Sequence, residues 1–262
     1  MNSRSRIFLP TLMLLLWCSN LSAQADTLRV MSYNILHGAT TKNDFNLDSI
    51  AGVINKFNPD LVALQEVDFR THRAKEYDLP TELGIRTKMA SLFARAMYFD
   101  GGEYGEAVLS KYSFVGTENM ALPHLPASEP RAALVVRVLT KNGNTIQFAA
   151  THLDHQEMET DRIMQAKELL ATLGDTKHPT LLVGDLNTQP DSETMKILTQ
   201  KFKFPDSEGA LKPTWPSNDP RVCIDHILLA SQGHWKVLDY QVYCNEYTSD
   251  HCAVIATLVY TP

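Results

Sequence analysis

The chain has 262 residues, of which 44% are hydrophobic and 21% are charged, and its formal net charge is −6. This length suits one large domain or two small ones with a sizeable core. The acidic balance argues against the strongly basic surface of a non-specific nucleic-acid binder, although it leaves nucleic acid open as a substrate.

The first 25 residues have the layout of a secretory signal peptide. Arg4 and Arg6 precede an apolar run over 7–17, and small residues flank Gln24 at a cleavage site that ends at Ala25. The apolar run is too short for a membrane span, which needs roughly 20 residues. We therefore expect this segment to be removed.

Cleavage would leave one domain, residues 26–262, with a net charge of −8 because two arginines are lost. No second hydrophobic stretch is long enough to span a bilayer, so we expect a secreted or periplasmic protein without a transmembrane segment. Attachment to lipid through Cys18 is less favoured, because the bulky Trp17 precedes it.

Runs rich in Val, Ile, Leu and aromatic residues recur along this domain, bounded by turn residues. The predicted strands are 27–35, 60–67, 105–110, 131–139, 145–153, 180–184, 221–230, 236–243 and 252–260. Helical periodicity predicts helices over 47–57 and 157–173, a helix over 84–96 and a short one near 192–200. Asn142-Gly143 predicts a hairpin. Strands outnumber helices, which favours an α/β fold with mixed sheets and outer helices.

Three cysteines remain in the domain, Cys223, Cys244 and Cys252, and none forms a metal-binding pair. One disulfide and one thiol are compatible with an oxidising compartment. The favoured interpretation is that all three are buried apolar positions, since each lies in or beside a strand-like run.

Polar residues stand at the ends of the predicted strands. Taken singly, each could simply solvate a strand end. Together they suggest one site, because strand ends gather at one edge of a sheet. The residues are Asn34, Glu66, His152, Asp185 with Asn187, Asp225, and Asp250 with His251.

The residue types indicate the chemistry. Carboxylate and amide oxygens select a hard cation such as Mg²⁺, with Mn²⁺ or Ca²⁺ as alternatives. Histidines can move protons near neutral pH, and no GxSxG nucleophile motif is present, so water is the expected attacker. The pattern predicts metal-assisted hydrolysis of a phosphate ester.

The ordered motifs YNIL, LQEVD, YGEAVLSKY, THLDH, GDLNTQPDS, IDHIL and SDH resemble those of the endonuclease/exonuclease/phosphatase (DNase-I-like) superfamily. The pattern is closest to its bacterial secreted members of unassigned substrate. The resemblance implies a four-layer α/β sandwich, in which two mixed β-sheets pack face to face with helices outside. It also implies a hydrolase that depends on a divalent cation.

The resemblance implies a role for each residue at the strand ends. Glu66 would be the main metal ligand, with Asn34 and Asp250 near the metal. Asp185 and Asn187 would hold the attacking water or a second metal, and His152 would orient the phosphate or assist the leaving group. Asp225 and His251 would form a dyad. Whether Asp185 or His251 takes the proton stays open.

Two positions depart from the superfamily pattern. Glu106 stands where many relatives have Asn, so its carboxylate could pair with His152 or be a tolerated substitution. His226 stands where many have Tyr or Trp, which could alter the pocket wall.

The substrate is less constrained. Small phosphodiesters, inositol phosphates or phospholipid head groups suit a secreted acidic protein, and a secreted nuclease acting on DNA or RNA is the alternative. Arg70, Arg73, Lys75 and Arg131 are candidates for contacting substrate phosphates, although surface charge explains them equally well. A non-catalytic phosphate- or lipid-binding module is the rival of another class, and no stable protein partner is predicted.

Overall fold

The computed structural model describes residues 24–207, 211–231 and 234–262. The predicted signal peptide lies outside the described residues except for its last two, so it stays a prediction. The strands are β1 Asp26–Asn34, β2 Leu61–Phe69, β3 Ala90–Phe99, β4 Gly102–Ser110, β5 Ser113–Leu122, β6 Arg131–Leu139, β7 Thr145–His152, β8 Thr180–Asp185, β9 Phe202–Lys203, β10 Asp225–Ala230, β11 Trp235–Tyr243 and β12 Ala253–Tyr260. The helices are α1 Leu47–Phe57, α2 Leu79–Thr87, α3 Thr160–Leu173 and α4 Glu193–Leu198.

The strands form two six-stranded sheets, with orders β11-β12-β1-β2-β4-β3 and β5-β6-β7-β8-β10-β9. The pairs β1/β2 and β7/β8 are parallel and the others are antiparallel, so both sheets are mixed. The predicted hairpin at Asn142-Gly143 joins the antiparallel strands β6 and β7.

Alternation along the strands divides the core into three layers of side chains. On β4, Val108 points between the sheets, whereas Ala107 and Leu109 pack towards α1 and α2. On the second sheet, Val183 faces the first sheet and Leu182 packs with α3 and α4. The result is the expected four-layer sandwich, confirmed as helices, sheet, sheet and helices.

The ends of α1 show why this segment is helical. The Asn46 side chain accepts a hydrogen bond from the Ser49 backbone N–H at 3.0 Å, and Asn58 ends the helix in the left-handed conformation. Its buried face is the one that the periodicity predicts, and the predicted bounds of 47–57 are confirmed.

The elements that the sequence did not reveal lie at sheet edges. The predicted helix over 84–96 is wrong in its second half, because α2 ends at Thr87 and β3 follows. β3, β5 and β9 are edge strands. Side chains on β3 and β5 are mostly exposed or half-buried, so they lack the clean alternation that marks inner strands.

Cys244 and Cys252 form a disulfide, so the interpretation of all three cysteines as unbridged apolar positions is wrong for these two. Cys223 is buried outside the bridge, as expected. The bridge stands beside the terminal pair of β11 and β12, where Tyr243 meets Ala253, and this brings the two cysteines together. No helix among the described residues is long and apolar enough to cross a membrane.

Candidate active site

One half of the site lies on a single row of the second sheet. In the strand register, Asp185 at the end of β8 stands opposite His152 on β7 and opposite Asp225 on β10. All three side chains are buried. Three strand ends that are far apart in the chain therefore deliver three ionisable groups side by side, as the sequence pattern predicts.

Gly184 is required for this row by a close approach of two backbones. A Cβ atom at this position would lie 1.8 Å from the carbonyl oxygen of Thr151 on the neighbouring strand. Any side chain here would push β7 and β8 apart, and with them His152 and Asp185.

His251 reaches the row from the segment that precedes β12. Its Nδ1 lies 3.0 Å from Asp225 Oδ2, and its Nε2 lies 3.6 Å from Asp185 Oδ2. Thr214 holds the backbone of the dyad's aspartate, because its hydroxyl oxygen accepts a hydrogen bond from the Asp225 backbone N–H at 3.1 Å. With a carboxylate oxygen facing each ring nitrogen, the imidazole is best satisfied when both nitrogens carry protons.

Electrostatics point the same way for this pair. Burial works to lower the pKa of His251, but the charges of Asp225 and Asp185 outweigh it and raise the pKa to about 10. Burial also raises the pKa of Asp185 above the ordinary carboxyl range, against the lowering effect of His251. His251 is therefore set up as a cation and proton donor, and Asp185 as a group able to take a proton near neutral pH.

His152 occupies the other side of Asp185. Its Nε2 lies 3.5 Å from Asp185 Oδ2 and 2.9 Å from the Asn187 side-chain nitrogen. Burial, followed by the charge of Arg131, holds the pKa of His152 well below its ordinary value, so this ring is neutral. Asn187 comes to the site through a left-handed backbone (φ 47°) after β8 has ended, rather than through strand alternation.

The other half of the site is built on irregular backbone of the first sheet. Glu66 does not close β2, as the sequence pattern suggests, because the strand continues to Phe69. Instead the register shifts between Leu64 and Val67, and Glu66 has φ +54° within this irregularity. Such bulges re-aim a side chain next to a site, and here the Glu66 carboxylate joins the row on the second sheet.

Asn34 links the two halves. Its side-chain amide donates to Glu66 Oε1 at 3.1 Å and to Asp185 Oδ2 at 3.2 Å. Burial works to raise the pKa of Glu66, but the nearby His37 imidazole, 3.6 Å away, and the hydrogen bond that Asn34 donates outweigh it and lower the pKa to about 2. Glu66 is therefore a carboxylate at any physiological pH.

Five of these residues form the floor of a cavity of about 550 Å³, namely Glu66, His152, Asp185, Asn187 and His251, whereas Asn34 and Asp225 are not part of its lining. Met97, Phe99 and Tyr104 line one wall, and Trp215 with its neighbours lines the other. The site is thus a polar floor between apolar walls, the usual arrangement of a small-molecule pocket.

Asp250 and His226 do not line this cavity. Asp250 accepts a hydrogen bond from Trp215 Nε1 at 3.2 Å and lines a separate cavity with Tyr247 and Ser217, so its predicted place near a metal stays a prediction. His226 does not line the pocket wall. It is fully buried, with Nε2 2.9 Å from the Thr188 carbonyl oxygen.

The predicted substrate-binding residues fall into two groups. Arg73 and Arg131 line the cavity, whereas Arg70 and Lys75 do not. Arg73 forms a two-point ion pair with Asp68, at 2.7 and 2.9 Å, and lies over the rings of Phe99 and Tyr104.

Glu106 is fully buried and does not pair with His152. Neither carboxyl oxygen has a hydrogen-bond partner among the described residues. Burial raises the pKa of Glu106 well above its ordinary value, and the Arg131 charge only partly offsets this. A protonated, neutral Glu106 behind the cavity follows.

The oxygen-rich floor fits a hard divalent cation. Glu66 is held ionised without a full counter-charge, and Asn34 adds an amide group beside it. Asp185, Asp225 and His251 also offer ligand atoms within 4.8 Å of one another. We regard that second group as a hydrogen-bonded dyad plus a carboxylate, because the Nδ1 of His251 is already engaged by Asp225.

Several residues of the site carried no clear signal in the sequence. His155 lines the cavity and follows His152 by three residues, so the THLDH motif could have suggested it. His37 lies 3.6 Å from Glu66, close to Asn34 in the chain. Trp215 stands between two prolines in an irregular segment, and no pattern predicts its position on the wall.

Solved structures with this fold are numerous, although no significant match was found among curated proteins. An endonuclease/exonuclease/phosphatase from Beutenbergia cavernae has a TM-score of 0.73 and 22% identity, over 88% of this chain and 71% of that one. A mannosyl-6-phosphatase from Bacteroides thetaiotaomicron has a TM-score of 0.68 and 22% identity, over 88% and 99%. The human Nocturnin catalytic domain, solved with bound sulfate, has a TM-score of 0.69 and 19% identity, over 90% and 98%.

At these identities the structural likeness establishes the fold. The sequence goes further, because the model of the Endonuclease/Exonuclease/phosphatase family matches residues 31–251, most of the chain. The fold, the order of the motifs and this match agree, and the chain belongs to the endonuclease/exonuclease/phosphatase family.

Proposed function

We propose that this protein is a divalent-metal-dependent hydrolase of phosphate esters, with Mg²⁺ as the expected cation. Members of its family are hydrolases that act on phosphoesters. The observation that carries the proposal is the meeting of an Asp225–His251 pair, Asp185 and His152 with the ionised Glu66 across one cavity.

Glu66 and Asn34 are the residues that would hold the cation. When bound, a divalent cation supplies positive charge to the phosphoryl oxygens. Asp250 is kept as a further candidate, although its carboxylate engages Trp215 in this structure.

The chain's own groups provide the rest of the chemistry. Asp185 accepts a proton from the attacking water, and Asn187 orients it, because the Asn187 backbone N–H donates to Asp185 Oδ1 at 3.0 Å. His251, held doubly protonated by Asp225, donates a hydrogen bond to the phosphoryl group. His152 contributes a neutral ring beside the leaving group. This division assigns the base role to Asp185.

The substrate proposed is a compact phosphoester, such as a small phosphodiester, an inositol phosphate or a phospholipid head group. The cavity volume and its apolar walls support this choice. Both arginines on the lining are already engaged by other side chains, Arg73 by Asp68 and Arg131 by histidines, which leaves little cationic surface for a long polyanion.

A location outside the cytosol is part of the proposal. The N-terminal segment resembles a secretory signal, and the Cys244–Cys252 disulfide is typical of an oxidising compartment.

A substrate panel tests the function. Bis-p-nitrophenyl phosphate, inositol phosphates, sphingomyelin and plasmid DNA would each be incubated with Mg²⁺, Mn²⁺, Ca²⁺ or EDTA. We expect hydrolysis of a small ester with Mg²⁺ and none with EDTA. Hydrolysis that persists in EDTA would contradict the metal dependence, a preference for DNA would favour the nuclease alternative, and binding without hydrolysis would favour a binding module.

A further inference from the structure

We propose that Arg131 is a positioning residue that fixes the tautomers of His152 and His155, so that both rings keep their proton on Nε2. We further propose that His155 is a second donor, beside His152, to the oxygens of the substrate. The statement about tautomers is independent of the reaction, whereas the role of His155 rests on the proposed function.

The geometry places one guanidinium against two rings. Arg131 begins β6 and is only 3% exposed. Its Nη1 lies 3.1 Å from His152 Nδ1, and its Nη2 lies 3.2 Å from His155 Nδ1. The two terminal nitrogens of the fork therefore address the same atom type on two different histidines.

The chemistry of arginine decides the direction of both hydrogen bonds. A guanidinium has only donors and stays protonated in proteins, so each Nδ1 must accept. A neutral imidazole that accepts at Nδ1 carries its proton at Nε2. For His152, that Nε2–H faces Asp185 Oδ2 at 3.5 Å. The Asn187 amide can meet the same N–H with its oxygen only after a half-turn about χ2, and this half-turn gives up the hydrogen bond that its nitrogen donates to the Leu153 carbonyl oxygen at 3.0 Å.

Arg131 is itself fixed from several sides. Glu129 Oε1 lies 3.6 Å from Nη1, and Tyr104 lies close enough to interact electrostatically with the guanidinium. The buried carboxyl of Glu106, on β4 of the facing sheet, interacts electrostatically with the guanidinium. With both terminal nitrogens engaged by histidines, this residue acts on the substrate through them, which differs from the direct phosphate contact that the sequence suggested.

His155 is held although it is exposed to the cavity. The preceding residue is anchored through both of its backbone polar groups, because the Asp154 N–H donates to Gln165 Oε1 and its carbonyl oxygen accepts from Arg162, each at 2.9 Å. With Nδ1 on Arg131, the nitrogen left to face the cavity is Nε2. A fixed donor at the cavity wall is what oxyanion stabilisation requires.

The direct test is ¹⁵N NMR of the whole protein labelled at histidine, with the two rings assigned by loss of their signals in His152→Gln and His155→Gln. We expect an acceptor-type Nδ1 and a protonated Nε2 for both rings. A protonated Nδ1 on either ring in the wild type would overturn the proposal. This measurement needs no substrate, so it stands or fails separately from the proposed function.

Variants test the role of Arg131. In Arg131→Met we expect the tautomers to become mixed and kcat to fall about 10- to 100-fold, the usual cost of losing a group that orients a catalytic residue. Arg131→Lys keeps the charge but has a single donor nitrogen, so it should recover part of the tautomer preference and part of kcat. The control is Arg137→Met, further along β6 and against Gly116, which should change neither. The double variant Arg131→Met/Glu106→Gln also replaces the buried Glu106 carboxyl with an amide that cannot ionise, which keeps the test usable if the single variant folds poorly.

His155 has its own test. His155→Ala should lower kcat about tenfold with little change in KM, and His155→Asn should recover part of the loss because its amide can still donate. An unchanged kcat in His155→Ala, with the tautomer of His152 as expected, would remove His155 from the proposal.

Discussion

The two halves of the site are built in opposite ways. On the second sheet, His152, Asp185 and Asp225 stand in regular register at strand ends and balance one another through His251. On the first sheet, Glu66 sits in a break of the strand with positive φ, and its ionised carboxylate has only partial balance. The regular half is suited to proton transfer between fixed partners. The irregular half is suited to binding a cation, whose positive charge would balance the Glu66 carboxylate.

The largest expected effect comes from breaking the regular half. Asp185→Asn and His251→Gln should each lower kcat by about 10²- to 10⁴-fold, the usual contribution of a positioned acid or base. The double variant should lose little more, because the two groups act as a unit. Steady-state kinetics on the best ester of the panel checks this. Asp219→Asn, at an exposed ion pair, is the matched control, and additive losses would contradict the coupling.

Breaking the irregular half should give a smaller effect of a different kind. Glu66→Gln keeps the shape but removes the charge, so the Mg²⁺ concentration for half-maximal rate should rise about 10- to 100-fold. Titration of activity with Mg²⁺ measures this rise, and the control is Glu103→Gln, because Glu103 on β4 is paired with Arg95 on β3 away from the metal candidates. An unchanged metal requirement would show that Glu66 does not hold the cation.

The halves should also weaken at opposite ends of the pH scale. The raised pKa of His251, about 10, means that its contribution to stability is complete below its ordinary pKa of 6.5 and is lost as pH rises through about 10. The lowered pKa of Glu66, about 2, means that its contribution is present above 4.5 and is lost as pH falls through about 2.

Urea unfolding in EDTA across this pH range would separate the two contributions. His251→Gln should flatten only the alkaline loss, and Glu66→Gln only the acid loss. A wild type and a His251→Gln variant that lose stability in parallel above neutral pH would contradict the raised pKa of His251.

The smallest effect concerns the backbone under the regular half. Gly184→Ala should destabilise the protein by about 1–3 kcal/mol, the usual cost of overpacking, because the new methyl group meets Thr151. Gly52→Ala, on α1 with no heavy atom within 4 Å of the added Cβ, should instead stabilise by about 0.5–1 kcal/mol. Thermal unfolding compares the two, and equal effects would show that the approach of β7 and β8 can relax.

The same contrast explains what could be predicted from the sequence. Asp185 and His152 could be placed because inner strands carry dense apolar runs and their ends are easily seen. The sequence identifies Glu66 as a site residue but does not reveal the irregularity of β2 around it, because a bulge leaves the apolar pattern on both sides intact. Edge strands such as β3, and the bridge between Cys244 and Cys252, depend on tertiary neighbours that local patterns do not encode.

Glu66 and Asp185 lie on different sheets and meet through a single amide of Asn34. Elsewhere the sheets pack through an apolar interior that includes Phe148, Val183 and Val254, and such packing is non-directional, whereas the hydrogen bonds between strands within each sheet are directional. A small slip of one sheet over the other would therefore separate the halves while each sheet stayed intact. Heat inactivation should begin below the temperature of global unfolding and reverse on cooling, so that the working temperature is set by alignment of the sheets rather than by their melting.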